Sequence, residues 1–405
     1  MNYSLIGESI RESATLKLNA TTTILRTRGE PVIHLGGGEP KSKAPLEAIA
    51  SASALLSTGE VRYTPADGIP ALKQSIIQYT QTFYDQAVTP DNIIVSGGAK
   101  QALMISLQAI LNPGDEVLFP IPYWVSYPEM VRLCGATPVP VQSKDGSFHP
   151  VLADIEKHVT PRTRAIIINS PNNPSGVMYS EPFVRETVEF CEKKDLFLIM
   201  DDIYHRLIFD NKKPISCYQY AKADPERSGL IVINGVSKQY AMTGFRLGWA
   251  VVNKNLKRIM TNIQAHQTSG PSVLSQQAAV GALNGDQSGV ESLRLTLENN
   301  RKVMMEQLSS LSGVNVTKPD GTFYCFADFS AYEKDSSKLA LFLLEKVFVV
   351  TVPGIAFGMD GFLRLSTCGS IKEIIEGIDR IKWALDSETS GDLVVGDRKL
   401  VKDWA

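Results

Sequence analysis

The chain has 405 residues, of which 43% are hydrophobic and 21% charged, and its formal net charge is −2. This composition is typical of a globular protein of two or three domains and excludes a disordered or coiled-coil chain. The nearly balanced charge gives no overall attraction to nucleic acid or to an anionic membrane, and no apolar segment approaches the ~20 residues that span a bilayer.

Two further features indicate the compartment. The first residues contain no basic segment followed by an apolar one, so they do not resemble a secretory signal. The five cysteines are scattered and form no Cys-x-x-Cys pair, which argues against a disulfide framework and a metal site. We therefore expect a cytoplasmic protein that binds no metal.

Short β-rich segments alternate with helical patterns through the first two thirds of the chain. The predicted strands are residues 93–95, 116–119, 165–169, 196–200, 230–234 and 248–252. Several are apolar throughout, as expected for strands buried on both faces. Helical patterns lie between them, for example over residues 101–111 and 181–193. This order predicts an α/β fold with a mostly parallel sheet flanked by helices.

The pattern changes after about residue 285 and predicts a smaller α+β domain. An amphipathic helix over 288–310 precedes short strands at 322–327, 347–351 and 362–366, and a helix over 371–385 comes last. We expect residues 1–42 to pack with this small domain, residues 43–284 to form the large domain, and residues 285–405 to form the small one. The tail after Asp386 is polar, and we assign no secondary structure to it from the sequence.

Ligands of parallel sheets bind at the carboxyl ends of the strands, so the residues directly after each predicted strand are the candidates for a site. Gly97 and Gly98 come after the first strand and lead into a helix, where free backbone N–H groups suit a phosphate. The alternative is a tight turn that needs glycine anyway. Asn172 and Asn173 stand between two prolines after the third strand. They are either held to donate to a ligand or part of an ordinary Asn-Pro turn.

The next two strand ends carry charge. Asp201 and Asp202 come after an apolar segment, where a carboxylate could hold a proton on a ligand nitrogen or cap a helix. Lys238 comes after the fifth strand, with Arg246 further on. Such an amine could form a Schiff base, although most lysines are solvated surface charges. The coincidence of a phosphate cradle, an amide, a carboxylate and a lysine at four strand ends favours one common site.

Together these motifs resemble the fold-type I aminotransferases of class I and II, which use pyridoxal 5′-phosphate, and in particular the bacterial-type aspartate aminotransferases. The similarity extends over residues 13–385, and its most specific stretches are residues 36–40, 62–70, 122–130, 170–176 and 237–249. The resemblance implies the fold-type I architecture, pyridoxal 5′-phosphate as cofactor, and amino acids and 2-oxo acids as substrates.

The resemblance also implies residue roles in cofactor binding. Lys238 would form the Schiff base and move a proton, and Asp201 would pair with the pyridine nitrogen, with the Asp-x-x-Tyr spacing to Tyr204 favouring it over Asp202. Trp124 would stack on the ring, and Tyr204 with Asn173 would donate to its phenolate oxygen. The residues that would surround the phosphate are Gly98, Ala99, Lys100, Ser237 and Arg246. Tyr63 would reach the phosphate of a neighbouring subunit, which implies a homodimer.

The resemblance assigns substrate roles in the same way. Arg364 would bind the α-carboxylate with a bidentate guanidinium, supported by Gly38 and Asn173 beside Trp124. Ser13 and Lys100 would contact the distal carboxylate of a dicarboxylate. The predicted reaction is a ping-pong transamination between aspartate and 2-oxoglutarate, with prephenate, aromatic or alanine-type substrates as alternatives.

Two other classes remain open, and the chain departs from the family pattern in places. A fold-type I lyase or decarboxylase would use the same cofactor motifs, whereas a ligand-sensing module would lack a use for Lys238. Gly235 replaces a usual serine three residues before that lysine, Lys41 replaces a usual aspartate and makes the site entrance more basic, and an inserted alanine displaces Lys100.

Overall fold

The structure is a computed structural model that describes residues 3–12, 14–222, 226–386, 391–396, 398–402 and 404. The α-helices are α1 Leu5–Ser9, α2 Ala14–Thr27, α3 Leu46–Thr58, α4 Pro70–Tyr84, α5 Ala99–Ile110, α6 Ser126–Leu133, α7 Leu152–Glu156, α8 Glu181–Lys194, α9 Lys254–Gln267, α10 Val273–Asn284, α11 Ser288–Ser309, α12 Ser336–Val347 and α13 Ile371–Leu385. In the described part of the chain, no helix combines the length and apolar character needed to cross a membrane.

The strands are β1 Ile33–His34, β2 Ile93–Ser96, β3 Glu116–Pro120, β4 Thr137–Val141, β5 Thr163–Asn169, β6 Phe197–Asp201, β7 Leu230–Gly235, β8 Gly248–Val251, β9 Asn315–Val316, β10 Tyr324–Asp328, β11 Val349–Val350, β12 Val352–Pro353, β13 Phe362–Ser366, β14 Leu393–Val395 and β15 Arg398–Leu400. The large sheet has seven of them in the order β2-β8-β7-β6-β5-β3-β4. Its pairings are parallel from β7 to β4, so the predicted mostly parallel α/β sheet is confirmed.

The large sheet is covered on both faces, which explains its continuous apolar strands. Ile167 packs with one hydrophobic cluster, whereas Ile166 and Ile168 pack with another, and all three are fully buried. Because successive side chains of a strand point to opposite faces, each face needs its own apolar cover. The sheet therefore holds the carboxyl ends of its parallel strands in fixed positions on one side of the fold.

Two strands differ from the sequence prediction. β8 pairs antiparallel with both β7 and β2, because the short connection from Gly235 to Gly248 returns the chain without a crossover helix. β4 is absent from the sequence prediction. Its sequence, Thr137-Pro138-Val139-Pro140-Val141, contains two prolines, which are tolerated because β4 lies at the sheet edge.

The smaller part of the fold consists of an antiparallel sheet in the order β12-β13-β10-β9, with helices α11 to α13 around it. β1 pairs in parallel with β11, so Ile33 and Leu35 join the same apolar cluster as Ile378 of α13. The strand predicted at 347–351 is shorter than expected, because α12 continues to Val347. The domain boundaries at residues 42 and 284 stay a prediction.

The described residues of the tail, for which the sequence gave no structural assignment, form secondary structure. β14 and β15 form an antiparallel hairpin, and the ring of Trp404 packs edge-on against Trp383 of α13, with centroids 5.4 Å apart. Lys402 also donates to the main-chain oxygen of Trp383. The tail sequence is polar and has no hydrophobic periodicity that would predict these strands. The tail is held instead by the contact between two tryptophans and by ion pairs such as that of Arg398 with Glu30.

Candidate active site

The carboxyl ends of β5, β6 and β7 open onto a cavity of about 460 Å³. Eleven of the residues predicted from the sequence line this cavity together: Gly38, Ala99, Lys100, Trp124, Asn173, Asp201, Tyr204, Ser237, Lys238, Arg246 and Arg364. They come from parts of the chain more than 300 residues apart, and the sheet edge brings them together as expected for an α/β fold.

Lys238 lines the cavity and lies three residues beyond the end of β7. Its Nζ donates a hydrogen bond to the main-chain oxygen of Gly38 at 2.7 Å. Burial disfavours the charged ammonium and lowers the pKa of Lys238 to about 8. The amine is therefore available in its neutral, nucleophilic form near physiological pH.

Asp201 ends β6 and points into the cavity. Its Oδ2 accepts a hydrogen bond from Tyr127 Oη at 2.7 Å, whereas its buried Oδ1 has no partner among the described residues. Burial raises the pKa of Asp201 to about 6. Asp202 does not line the cavity, and it accepts from Tyr84 Oη at 2.7 Å. An unpartnered buried carboxylate oxygen suits a cationic N–H donor on a ligand.

The first turn of α5 forms an anion cradle. Gly98 precedes the helix with φ +96°, and a Cβ at this position would lie 2.7 Å from Arg246 Nη2. The main-chain N–H groups of Ala99 and Lys100 belong to the first helical turn and have no acceptor within the helix. Gly98 thus lets the guanidinium approach these N–H groups, an arrangement that suits a phosphate.

The glycine at position 235 has a packing reason. A Cβ there would lie 2.9 Å from the main-chain oxygen of Leu247 and 3.0 Å from Gly248 Cα. Since β7 and β8 are this close, a serine would force the two strands apart. The cradle therefore uses Ser237 and Arg246 without an additional hydroxyl from residue 235.

Arg364 is 2% exposed and lies on β13 at the cavity wall. Its Nη1 donates to Asn173 Oδ1 at 3.0 Å and its Nη2 to the main-chain oxygen of Gly36 at 3.1 Å. Its Nε has no partner among the described residues. These acceptors are uncharged, so the buried guanidinium is suited to an anionic ligand that supplies the missing charge.

Aromatic side chains form the remaining walls. Lys100 Nζ lies 4.8 Å from the centroid of the Trp124 ring. The pKa of Lys100 is lowered, mainly by burial and to a smaller extent by the charge of Arg246. Burial holds the pKa of Tyr204 well above its usual value, so its hydroxyl stays a donor. The Tyr324 ring stacks under the Arg364 guanidinium at 4.1 Å.

Two predicted residues do not line the cavity, and a third is not among the described residues. Gly98 supports the cradle from behind without lining the cavity. Tyr63 is 94% exposed and does not reach the cavity of its own chain. Ser13 lies outside the described residues. Lys41 is paired with both carboxylate oxygens of Glu373 at 2.8 Å, so its charge is compensated and the expected basic entrance is wrong at this position.

Sequence reasoning missed three residues of the site. Tyr127 lies within the 122–130 stretch but was given no role. Asn169 lines the cavity at the end of β5. Its Nδ2 donates to the main-chain oxygen of Asp201 at 2.7 Å, and its Oδ1 accepts from the main-chain N–H of Asn173 at 2.8 Å. Tyr324 precedes Arg364 by forty residues and gave no local signal. No group of three histidine, cysteine or acidic residues in the described chain could hold a metal ion.

Comparisons with known proteins agree with this geometry. Residues 30–381 match the family Aminotransferase class I and II. A probable aspartate/prephenate aminotransferase of Aquifex aeolicus is 38% identical over 383 residues, which are 93% of this chain and 97% of that protein. An aspartate aminotransferase of Bacillus subtilis is 37% identical over 380 residues, 92% of this chain and 96% of that protein.

Solved structures give the same result for the fold. The aspartate aminotransferase of Thermus thermophilus with maleate superposes with a TM-score of 0.89 at 33% identity, covering 94% of this chain and 99% of that one. The aspartate aminotransferase of Rhizobium meliloti gives a TM-score of 0.89 at 34% identity, covering 95% and 99%. The predicted fold-type I architecture is confirmed.

Proposed function

The chain belongs to the class I and II aminotransferases, an enzyme family, and from that premise we propose that it transfers an amino group between L-aspartate and 2-oxoglutarate with pyridoxal 5′-phosphate as cofactor. The observation that carries the proposal is the convergence of Lys238, Asp201 and Arg364 on one cavity. A lyase or decarboxylase would share these residues, but the four relatives described above are all named as aminotransferases.

The residues present fit the cofactor. The unpartnered Asp201 Oδ1 matches a protonated pyridine nitrogen, and the α5 cradle with Arg246 matches a phosphate. Trp124 supplies a flat face for the ring, and Tyr204 with Asn173 supplies donors for its phenolate oxygen. When bound, pyridoxal 5′-phosphate supplies an electron sink for the bonds at the substrate Cα.

The chain's own residues divide the remaining work. Arg364 binds the substrate α-carboxylate and so holds the Cα in front of the cofactor, with Asn173 fixing the guanidinium plane. Lys238 Nζ accepts the proton that leaves the substrate Cα, and its lowered pKa of about 8 makes the neutral amine far more available than for an ordinary lysine. Asp201 keeps the ring nitrogen protonated. The donor and the acceptor use the same cavity in turn, so ping-pong kinetics are expected.

The preference for dicarboxylates is supported by a second cation. Lys100 lines the same cavity as Arg364, and its Nζ lies over the Trp124 ring, where it could bind a distal carboxylate. Maleate, bound to the Thermus thermophilus relative, is a dicarboxylate. The name of the Aquifex aeolicus relative keeps prephenate as the alternative acceptor, which is also a dicarboxylate. Ser13 would be the second contact for the distal group.

We also propose a homodimer. Tyr63 is 94% exposed, and the neighbouring α3 exposes Leu46, Ile49 and Leu56. An apolar helix face of this kind favours a protein contact, and a partner seated on it would bring Tyr63 to the phosphate of the opposite cavity. Size-exclusion chromatography with light scattering tests the assembly, and a monomer that is fully active at all concentrations contradicts it. The cytoplasmic location stays a prediction.

An absorbance titration tests the function directly. L-Aspartate added without an acceptor should abolish the long-wavelength band of the bound cofactor, and 2-oxoglutarate should restore it. A band that aspartate leaves unchanged would overturn the substrate, and the absence of any band after addition of pyridoxal 5′-phosphate would overturn the cofactor. Steady release of ammonia or carbon dioxide without an oxo acid would favour the lyase or decarboxylase instead.

A further inference from the structure

Tyr127 is a buried tyrosine to which neither the sequence motifs nor the proposed reaction gives a role. It lies in the first turn of α6 and is 2% exposed. Its Oη donates to Asp201 Oδ2 at 2.7 Å. Burial and the neighbouring carboxylate raise the pKa of the Tyr127 phenol well above its usual value, so the hydroxyl remains a donor over the working pH range.

The hydrogen bond from Tyr127 leaves the Asp201 carboxylate one free oxygen. Oδ1 is buried and has no partner among the described residues. The backbone at this point is also fixed, because Asn169 Nδ2 donates to the main-chain oxygen of Asp201 at 2.7 Å. Rotation of the carboxylate about its last bond would break the Tyr127 hydrogen bond, so the free oxygen keeps one direction.

The ring of Tyr127 has a second contact with the cavity wall. It meets the Trp124 ring edge-on, with centroids 5.5 Å apart and an interplanar angle of 83°. Trp124 and Asp201 are the two residues that would contact the face and the nitrogen of the cofactor ring. One buried side chain therefore touches both of them without lining the cavity itself.

We propose that Tyr127 is a positioning residue of the cofactor site, whose hydroxyl holds Asp201 with Oδ1 directed at the ring nitrogen and whose ring holds Trp124 in its plane. This inference rests on the proposed function and deepens it, because it assigns the cofactor's orientation to a residue that does not touch the cofactor. Without the hydroxyl the Asp201 carboxylate could rotate. It would then spend less time in the orientation that pairs with the cofactor's ring nitrogen.

The chain offers a matched control. Tyr84 is also buried, and its Oη donates to Asp202 Oδ2 at the same distance of 2.7 Å. Asp202 lies next to Asp201 but does not line the cavity. Tyr84→Phe and Tyr127→Phe thus remove the same group from the same kind of buried contact, and only the second contact belongs to the proposed cofactor site.

The experiment compares both variants with the unchanged protein. Apoenzyme is titrated with pyridoxal 5′-phosphate while the quenching of tryptophan fluorescence is recorded, and the absorbance of the holoenzyme is measured against pH. We expect Tyr127→Phe to raise the Kd by ~5- to 10-fold and to shift the midpoint of the absorbance change. Tyr84→Phe should leave both within about twofold while lowering the Tm at least as much, because Tyr84 Oη also accepts from Asn234 Nδ2.

A double variant separates this role from general destabilisation. In an Asp201→Asn background, Tyr127→Phe should raise the Kd for pyridoxal 5′-phosphate no further, because the carboxylate it positions is gone. Three results would overturn the role of Tyr127 and leave the proposed function intact. They are additive increases in Kd in the double variant, equal increases in Tyr84→Phe and Tyr127→Phe, and an unchanged Kd in Tyr127→Phe. If the unchanged protein binds no pyridoxal 5′-phosphate, the proposed function fails together with this inference.

Discussion

Asp201 and Asp202 are adjacent in sequence, yet they lie in two different regions of the molecule. Asp201 faces the cavity, with one oxygen held by Tyr127 and the other free. Asp202 faces a buried polar network in which Tyr84 also accepts from Asn234 Nδ2 at 2.7 Å. The network continues to His205, whose Nε2 lies 2.7 Å from a neighbouring tyrosine hydroxyl.

The comparison teaches that burial by itself does not identify a functional carboxylate. Burial raises the pKa of Asp201 to about 6 and that of Asp202 to about 7, so the structural residue is the more perturbed of the two. What distinguishes Asp201 is that it lines the cavity and that its buried Oδ1 has no hydrogen-bond partner among the described residues. An incomplete hydrogen-bond set beside a cavity is therefore the better indicator of a ligand.

The largest expected effect tests whether the cavity carries the chemistry at all. Lys238→Ala should reduce the rate of transamination by at least ~10³-fold, because both the nucleophile and the base at the substrate Cα are lost. The circular dichroism spectrum should stay unchanged, since the Lys238 side chain donates one hydrogen bond among the described residues, to the main-chain oxygen of Gly38. Near-normal turnover in this variant would remove the cavity from the reaction.

The adjacent carboxylates provide the direct contrast. Asp201→Asn should lower kcat by ~10²-fold, since a neutral amide cannot form the charge-assisted pair with a protonated ring nitrogen. Asp202→Asn should stay within a few fold of the unchanged protein, because it faces away from the cavity. Steady-state kinetics on both variants decide the matter, and equal losses would contradict the division between the two regions.

Two buried arginines extend the comparison to substrate binding. Arg364→Lys should raise KM for both aspartate and 2-oxoglutarate by ~10- to 100-fold, because an ammonium cannot bind a carboxylate bidentately. Arg301 is similarly buried but forms an ion pair with Asp210 at 2.7 Å outside the cavity. Arg301→Lys should lower the Tm and leave KM alone, whereas a matching rise in KM would make the Arg364 effect a structural one.

A smaller effect concerns the distal carboxylate. Lys100→Ala should lower kcat/KM for aspartate by ~10-fold through the loss of one partly solvated ion pair. The kcat/KM for alanine, which has no distal carboxylate, should change much less. The measurement is kcat/KM for each amino acid in the variant and in the unchanged protein. An equal decrease in kcat/KM for aspartate and alanine would leave Lys100 with a role in phosphate binding only.

The smallest effect concerns stability against pH. The fold raises the pKa of Asp202 to about 7 and so favours its protonated form. As the pH rises from about 4 toward 7, the unfolded chain loses this proton while the folded chain keeps it, so the free energy of unfolding decreases over this range. Asn at this position does not titrate. The Tm of Asp202→Asn relative to the unchanged protein should therefore improve by a few degrees between pH 5 and pH 8. A pH-independent difference would show that Asp202 is ionised in the fold.

Much of the site was predictable because short-range patterns encode it. Apolar strands ended by Gly98, Asn173, Asp201 and Lys238 indicated both the sheet and the edge at which ligands bind. Antiparallel β8 and the proline-containing edge strand β4 were not predictable in this way. Their direction and pairing depend on partners in the sheet, which periodicity in one segment does not reveal.

Sequence alone determined the family, the sheet and the candidate residues at its edge, because these depend on local patterning and on motifs of a few residues. The tertiary structure decided which partners Asp201 and Asp202 have, why residue 235 must be glycine, and that Tyr127 contacts both Asp201 and Trp124. It also paired β14 with β15 and packed Trp404 against Trp383. These features depend on distances between residues far apart in the chain, and such distances exist only once the chain is packed.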